Sequence, residues 1–161
     1  MPPSRRHAAA DAWGSLLRAH ARLLPVLDAG VRRTGVSLAY YDVLLELSAE
    51  HEGRLRMSDL GERVVLSRTR VSRLVDEMVR AGLVAREANV DDGRSAFAVI
   101  TEAGRKTFHS TAPRYLDLIK ERVADGLTTE ELATLARLLD RLGTGRQPDS
   151  VELSSGSAQN T

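Results

Sequence analysis

The chain has 161 residues, enough for one domain with a substantial core. It is 42% hydrophobic and 28% charged, it contains no cysteine, and no run approaches the roughly 20 apolar residues of a membrane span. This composition excludes a membrane-spanning protein, disulfides, thiolate metal sites and cysteine-based redox sensing, while the formal net charge of +1 favours no class of partner. The N-terminal residues lack the apolar segment of a signal peptide, so a cytoplasmic location is expected.

The N-terminal part is predicted to be helical after a disordered start at residues 1–8. Apolar residues recur at helical spacing from about residue 9 to residue 33, and Pro25 is expected to kink or split this first helix. Ser37 is a suitable N-cap for a second helix over residues 38–49. Two helices are therefore expected before any strand.

A helix-turn-helix is predicted next in the chain. A short extended piece at residues 54–57 precedes Ser58, which is expected to cap a third helix that ends near Val65. Leu66 and Ser67 are expected to form a tight turn. A short capped helix and a tight turn before another helix are typical of a DNA-binding motif.

The fourth predicted helix, from Arg68 to about Ala81, has one apolar side and one basic side. Ser67 can cap its start, and Gly82 follows it as a glycine suited to a helix end. At about 100° per residue, the apolar residues fall on one side: Val71, Leu74, Val75 and Met78. The N-terminal half offers hydroxyls and arginines without an acid: Arg68, Thr69, Arg70, Ser72 and Arg73. Since arginines contact guanine edges and hydroxyls contact bases or phosphates, these residues and Ser67 are predicted to bind DNA.

A two-stranded wing is predicted after the fourth helix. Residues 83–87 and 96–100 have the composition of strands, and the DDG sequence between them is a turn signal. At the hairpin tip, Arg94 is expected to enter an adjacent minor groove, whose negative potential attracts arginine. Asp92 is expected to order the tip by accepting hydrogen bonds or by pairing with Arg94 or Arg86.

Two further helices are predicted at the C-terminal end. The first covers residues 102–124 and contains Pro113. The second covers residues 129–142, begins with a capping box at Thr128 and Glu131, and carries a stripe of leucines: Leu132, Leu135, Leu138, Leu139 and Leu142. Residues 144–161 are rich in Ser, Gly, Pro and Gln and are expected to be a disordered tail. The expected fold class is mainly α (α+β), with a winged helix-turn-helix at its centre.

These residues resemble the MarR family of bacterial transcriptional regulators. The similar pieces are YDVLLEL in the second helix, RMSDLGERVVLSRTRVSRLVDEMVRAGLVAR across the helix-turn-helix, and DDGRSAFAVITEAG from the wing onward. The most specific piece is Asp92-x-Arg94 followed by Thr101-x-x-Gly104. Where the family often has a first wing arginine this chain has Gly93, so Arg94 is left to make the wing contact alone.

The resemblance covers residues of about 10 to 143 and implies a homodimer. In this interpretation residues 9–36 and 102–143 form intertwined dimerisation helices, and residues 37–101 form the winged helix-turn-helix. The apolar faces of these helices also favour a homodimer. If a partner did not bury them, they would form an exposed patch larger than monomeric proteins normally tolerate. Two-fold symmetry then predicts a pseudo-palindromic operator of double-stranded DNA with half-sites about 10 bp apart.

The resemblance also implies regulation by a small aromatic or anionic effector, since family members commonly bind such ligands between the dimerisation helices and the DNA-binding lobe. The candidate pocket residues are Trp13, Tyr40, Tyr41, Asp42 and Arg73. Trp13 and Asp42 are similar to residues of the urate-responsive subset of the family. The alternative is that Trp13 and Tyr41 pack in the dimer core and that Asp42 pairs with an arginine.

The sequence offers little support for other classes of function. Its four histidines are scattered and none pairs with an acid or a second histidine at ligand spacing, so no enzyme, metal site or cofactor is predicted. The alternative is a winged-helix module that docks onto another protein. Such a surface should carry aromatic or apolar anchors, and the fourth helix offers hydroxyls and arginines instead. A repressor is the default expectation, while the operator, the regulated genes and the identity of an effector are not readable from the chain.

Overall fold

The computed structural model describes residues 4–64, 68–89 and 95–143, and of Arg68 and Thr69 it describes the backbone only. The chain divides into two compact units between residues 123 and 124. Within the described ranges the first unit holds five helices and a small sheet, and the second holds one further helix. The predicted fold class, mainly helical with a small sheet, is confirmed.

Six α-helices follow one another along the chain: α1 (Arg5–Val31), α2 (Leu38–Ala49), α3 (Met57–Arg63), α4 (Arg68–Arg80), α5 (Glu102–Ile119) and α6 (Thr129–Gly143). A 3-10 turn, Arg32–Thr34, follows α1, and a π-helical turn, Lys120–Ala124, follows α5. The three strands are β1 (Arg54–Arg56), β2 (Val84–Ala88) and β3 (Ala96–Ile100). They form one antiparallel sheet in the order β1-β3-β2, in which β2 and β3 are the two strands predicted for the wing.

The N-terminal helix α1 begins earlier than predicted and is not split. Ser4 is its N-cap, with a hydroxyl that accepts a hydrogen bond from the backbone N–H of His7 at 3.4 Å. Residues 5–8, expected to be disordered, are therefore helical, since the cap satisfies an N–H of the first turn and three alanines follow. Pro25 lies inside the helix, which continues to Val31, so of the two expected outcomes, a kink or a split, the split is wrong.

The short helix α3 is capped differently from the prediction. It begins at Met57, with Arg56 in extended conformation before it, so Ser58 lies inside the first turn. The Ser58 hydroxyl donates to the Asp59 carboxylate at 2.9 Å, and its predicted role as the N-cap is wrong. The helix ends at Arg63 because Val64 returns to extended backbone. The predicted turn at Leu66 and Ser67 lies outside the described residues.

One hydrophobic core joins the helix-turn-helix to the sheet. Its members come from α2, α3, α4 and the strands: Val43, Leu44, Leu47, Leu55, Leu60, Val64, Val71, Val75, Met78, Leu83, Val84, Ala98 and Ile100. A second cluster joins the end of α1 to α2 and α5: Leu27, Val31, Leu38, Tyr41 and Leu118. Ser37 caps α2 as predicted, accepting from the Tyr40 N–H at 3.2 Å. The packing of α4 and the sheet on one core determines where the DNA-binding candidates lie.

The Thr101-x-x-Gly104 sequence locks α5 to the start of β2. Thr101 caps α5 by accepting from the Gly104 N–H at 3.0 Å, and its hydroxyl donates to the Gly82 carbonyl at 2.7 Å. Gly82 has φ +72°, the left-handed conformation predicted for the residue after α4. A Cβ on Gly104 would lie 2.2 Å from the Leu83 carbonyl oxygen, so the close approach of α5 requires glycine here.

Helix α6, in the second unit, begins with the predicted capping box. The Thr128 N–H donates to the Glu131 carboxylate at 2.8 Å, and the Glu131 N–H donates to the Thr128 hydroxyl at 3.2 Å. None of its residues is buried in the single chain. Four leucines are well exposed: Leu135, Leu138, Leu139 and Leu142.

Candidate nucleic-acid interface

The exposed side of α4 carries the predicted basic residues. Val71, Val75 and Met78 are buried beneath the helix, as the periodicity predicted. Arg70 and Arg73, one turn apart, are both exposed. The first turn of α4 contains no acidic residue, so its backbone N–H groups and the helix dipole favour an approaching phosphate. This half of the helix therefore presents positive charge to the solvent.

Arg70 and Arg73 also line a cavity of about 260 Å³ between α2 and α4. Ala39 and Leu74 supply apolar walls, and Glu77 supplies the acidic group. The Tyr40 hydroxyl donates to the Glu77 carboxylate at 3.4 Å. Burial and the nearby Glu77 charge raise the pKa of Tyr40, so the phenol remains a hydrogen-bond donor at neutral pH. The cavity combines two guanidinium groups with one carboxylate, which suits an anionic group.

Ser72 lies deeper than its place on the helical wheel indicated. It is half-buried, and its hydroxyl accepts a hydrogen bond at 3.0 Å from Arg86 on β2. The same guanidinium forms an ion pair at 3.1 Å with Asp76, one turn further along α4. Ser72 therefore lies where α4 meets β2. Its contact with Arg86 was not predicted, because the sequence indicated Arg86 only as a partner for Asp92.

The remaining DNA-binding candidates are described in part or not at all. Arg68 and Thr69 occupy the first turn of α4, and their side chains lie outside the description. Ser67, Asp92 and Arg94 lie outside the described residues, so their predicted roles as cap, wing-ordering residue and minor-groove contact stay predictions. The strands that lead to the wing tip are paired up to Ala88 and Ala96. β2 and β3 therefore form the paired strands that lead to the predicted wing tip.

Of the five effector candidates, Tyr41 and Asp42 lie together, while Tyr40 contacts Glu77 as described above. Tyr41 is buried, stacks on Phe108 with ring centroids 5.5 Å apart, and contacts Tyr115 with centroids 4.6 Å apart. Asp42 is half-buried beside this cluster, and burial together with the charge of Glu46 raises the pKa of its carboxyl. The sequence analysis missed Phe108 and Tyr115, which come from α5 and share no local pattern with α2.

The other two candidates, Trp13 and Arg73, are not joined to this cluster by any described contact. Trp13 is 61% exposed on α1, and Arg73 is exposed on α4. Within residues 4–64, 68–89 and 95–143, no hydrogen bond, ion pair or ring contact links either residue to Tyr41 or Asp42. The predicted effector pocket that includes these residues therefore stays a prediction.

No group of three or more histidine, cysteine, aspartate or glutamate side chains in the described part of the chain could hold a metal ion. No described helix is long and apolar enough to cross a membrane.

Comparisons with known proteins agree with the geometry. The model of the MarR family matches residues 34–95, which run from the last residue of the 3-10 turn to the residue before β3. The HTH-type transcriptional regulator MhqR of Bacillus subtilis is 26% identical over 128 residues, which is 80% of this chain and 86% of MhqR.

Two solved structures of MarR family transcriptional regulators from Streptomyces coelicolor are each 31% identical to this chain. AbsC has a TM-score of 0.77, with 83% of this chain and 90% of AbsC covered. Sco3205, solved in complex with DNA, has a TM-score of 0.79, with 88% of this chain and 89% of Sco3205 covered.

Proposed function

This chain belongs to the MarR family of transcriptional regulators, and on that premise we propose that it is a homodimeric repressor that binds a pseudo-palindromic operator. As a MarR-family regulator it is a DNA-binding protein and not an enzyme. The observation that carries the proposal is the pair of exposed arginines, Arg70 and Arg73, on the N-terminal half of α4 beside the wing. Since its target is DNA, its expected place is the cytoplasm.

The DNA contacts follow from the chemistry of each candidate. A guanidinium can donate two hydrogen bonds to the O6 and N7 atoms of guanine, and Arg70 and Arg73 are exposed to do so in a major groove. The cap and the first turn contact phosphates or bases through Ser67, Arg68 and Thr69, and Ser72 in the second turn is a further candidate for such a contact. Arg94 at the wing tip contacts the adjacent minor groove, and Asp92 orders that tip.

Exposed apolar residues support the homodimer. On α1 Trp13 is 61% exposed and Leu17 is 48% exposed, and on α6 Leu142 is 70% exposed. Monomeric proteins seldom expose so many large apolar side chains on regular helix faces. We propose that α1, α5 and α6 bury these faces against a second copy, which places the two α4 helices in half-sites about 10 bp apart.

A small aromatic or anionic effector is proposed to release the repressor from DNA. Arg73 is exposed for DNA binding and also lines the cavity between α2 and α4. An anion bound to Arg73 in this cavity would therefore compete with DNA for the same side chain. Trp13, Tyr41 and Asp42 stay candidates for the aromatic part of the site. Any effector that lowers DNA affinity must itself be bound less tightly by the DNA complex, since the coupling is reciprocal.

The proposed function is tested by salt-dependent binding to the promoter region of the gene that encodes this protein. The proteins compared are the wild type, Arg73→Ala, Arg94→Ala and, as a matched control, Arg80→Ala, an exposed arginine at the far end of α4. Affinity should fall steeply with salt. Arg73→Ala should cost about 1–3 kcal/mol and relax sequence preference, Arg94→Ala should weaken binding more evenly across sequences, and Arg80→Ala should change little. If the wild type binds DNA without sequence preference and neither Arg73→Ala nor Arg94→Ala changes its affinity, the chain is instead a protein-docking module.

A further inference from the structure

Arg86 lies on the core-facing side of β2, at the point where this strand extends beyond the hydrophobic core. Side chains on a strand alternate between faces, so Arg86 shares its face with Val84, which is 2% exposed. Val84 packs in the core beneath the sheet, and Arg86, two residues on, reaches the rim of that core next to α4. The Arg86 side chain is 35% exposed and has polar partners at this rim.

Those partners are all on α4 and all contact one nitrogen. Nη2 of Arg86 donates to the Ser72 hydroxyl at 3.0 Å and to the Ser72 carbonyl at 3.3 Å, and it lies 3.1 Å from Oδ1 of Asp76. Ser72 and Asp76 are one helical turn apart, so the guanidinium spans a full turn of the helix. The contacts tie β2 to α4, and those with Ser72 join residues 14 positions apart in sequence.

The contact also neutralises an acid on the helix that faces DNA. Asp76 is exposed on α4 one turn after Arg73, and its side chain is 52% exposed. An unpaired carboxylate there would repel nearby phosphates. Pairing with Arg86 removes that repulsion without placing the arginine itself on the exposed face.

The wing is rigidly connected to this contact point. From Arg86, opposite Ala98, the two strands stay in register to the pair of Ala88 and Ala96. One residue further, the Asn89 N–H donates to the Ser95 carbonyl at 3.1 Å. Holding Arg86 against α4 therefore holds the hairpin that leads to the wing tip.

We propose that Arg86 is a positioning residue for DNA binding, which clamps the wing to α4 through Ser72 and Asp76 and does not touch DNA. The inference rests on the proposed function. Two DNA-contacting elements held at a fixed separation bind without first losing conformational freedom, so the clamp raises affinity by preorganisation. Its loss should therefore weaken DNA binding without removing a phosphate contact.

The test compares the wild type, Arg86→Ala, Asp76→Ala and the double variant in binding to the same operator fragment over a range of salt concentrations. Arg86→Ala should raise Kd by about tenfold, within the range measured for residues of one hydrogen-bonded network. When Arg86→Ala is added to Asp76→Ala, in which no carboxylate is left unpaired, the slope of log affinity against log salt should stay unchanged, whereas loss of a phosphate contact lowers it by about one. In the Asp76→Ala background the same substitution should raise Kd by a clearly smaller factor.

Footprinting distinguishes positioning from a general loss of structure. Arg86→Ala should lose hydroxyl-radical protection at the minor-groove positions of the wing and retain methylation protection of guanine N7 in the major groove. The matched control is Arg54→Ala, because the Arg54 side chain is as exposed as that of Arg86, at 35%, and also forms ion pairs, with Glu52 and Glu87. Its affinity and footprint should match the wild type.

Each result decides between the alternatives. An unchanged Kd for Arg86→Ala, or a salt slope lowered by about one when Arg86→Ala is added to Asp76→Ala, overturns the clamp while the proposed function stands. A wild type that binds no operator specifically overturns the proposed function instead. If Arg86→Ala fails to fold, Arg86→Lys and Asp76→Asn replace it: both should raise Kd and weaken wing protection, and wild-type affinity in both overturns the proposal.

Discussion

Substitution of Gly104 by alanine should destabilise the first unit, because α5 approaches the start of β2 too closely for a side chain. The new Cβ would lie 2.2 Å from the Leu83 carbonyl oxygen and 2.9 Å from Cγ1 of Ile100. An ordinary contact between carbon and a carbonyl oxygen is about 3.3 Å or longer. The carbonyl cannot move away freely, because it accepts a hydrogen bond from the Thr101 N–H at 3.1 Å.

The size of the effect follows from three contributions. Overpacking costs about 1–3 kcal/mol, and weakening the Leu83–Thr101 hydrogen bond costs about 0.5–1.5 kcal/mol. Alanine has a better helix propensity than glycine, which returns up to about 1 kcal/mol. We expect a net loss of about 2 kcal/mol in the free energy of unfolding, or a Tm lower by about 4–8 °C for a chain of this length.

Circular dichroism at 222 nm during heating and during titration with urea measures this loss. The matched control is Gly143→Ala at the end of α6, where an added Cβ meets no atom within 4 Å and should leave stability unchanged. Protein concentration must be the same in all samples, because the proposed dimerisation would make Tm depend on it. If Gly104→Ala were as stable as the wild type, the close approach of α5 and β2 would not be a constraint on this fold.

Two further predictions concern pH and assembly. Asp28 accepts hydrogen bonds from the Leu38 N–H at 2.9 Å and from Arg32 at 2.7 Å. Burial alone would raise the pKa of the Asp28 carboxyl. The two hydrogen bonds and the positive charge of Arg32 outweigh burial and lower this pKa. A lowered folded-state pKa gives stability that is present above the unfolded-state pKa of about 3.9 and lost as pH falls through the folded-state pKa. The stability difference between wild type and Asp28→Asn in urea titrations should therefore be constant above about pH 5 and shrink below about pH 4, and a difference independent of pH would contradict this account. Leu138→Glu places a charge on the exposed leucine face of α6 and should convert the dimer to a monomer in sedimentation equilibrium, whereas the neighbouring control Arg137→Glu should stay dimeric. A dimeric Leu138→Glu would show that α6 is not at the interface.

Local patterns predicted much of the fold. The periodicity of the fourth helix correctly separated the buried Val71 and Val75 from the exposed Arg70 and Arg73. Ser37 and the capping box at Thr128 also form as predicted. These features depend on residues within one or two helical turns of each other, so they can be recognised before any tertiary contact is known.

Predictions at element ends were less accurate. Ser58 is a residue type suited to an N-cap, but the pairing of β1 with β3 ends at Arg56, one residue before the end of the predicted extended piece, and α3 therefore begins at Met57. The three residues of β1 are too few to show an alternating pattern, and the sequence indicated only an extended piece there. Where a short strand ends is therefore decided by its partner strand.

The sequence by itself determined which side of each helix is apolar, where the wing strands lie and that arginines gather at one end of α4, because all of these follow from local periodicity and turn chemistry. Only the tertiary structure decided which distant residues meet. It joined Arg86 to Ser72 and Asp76, and it packed Tyr41 of α2 against Tyr115 of α5. Such contacts depend on the angles and distances at which whole elements pack on the core, and no spacing along the chain encodes those quantities directly.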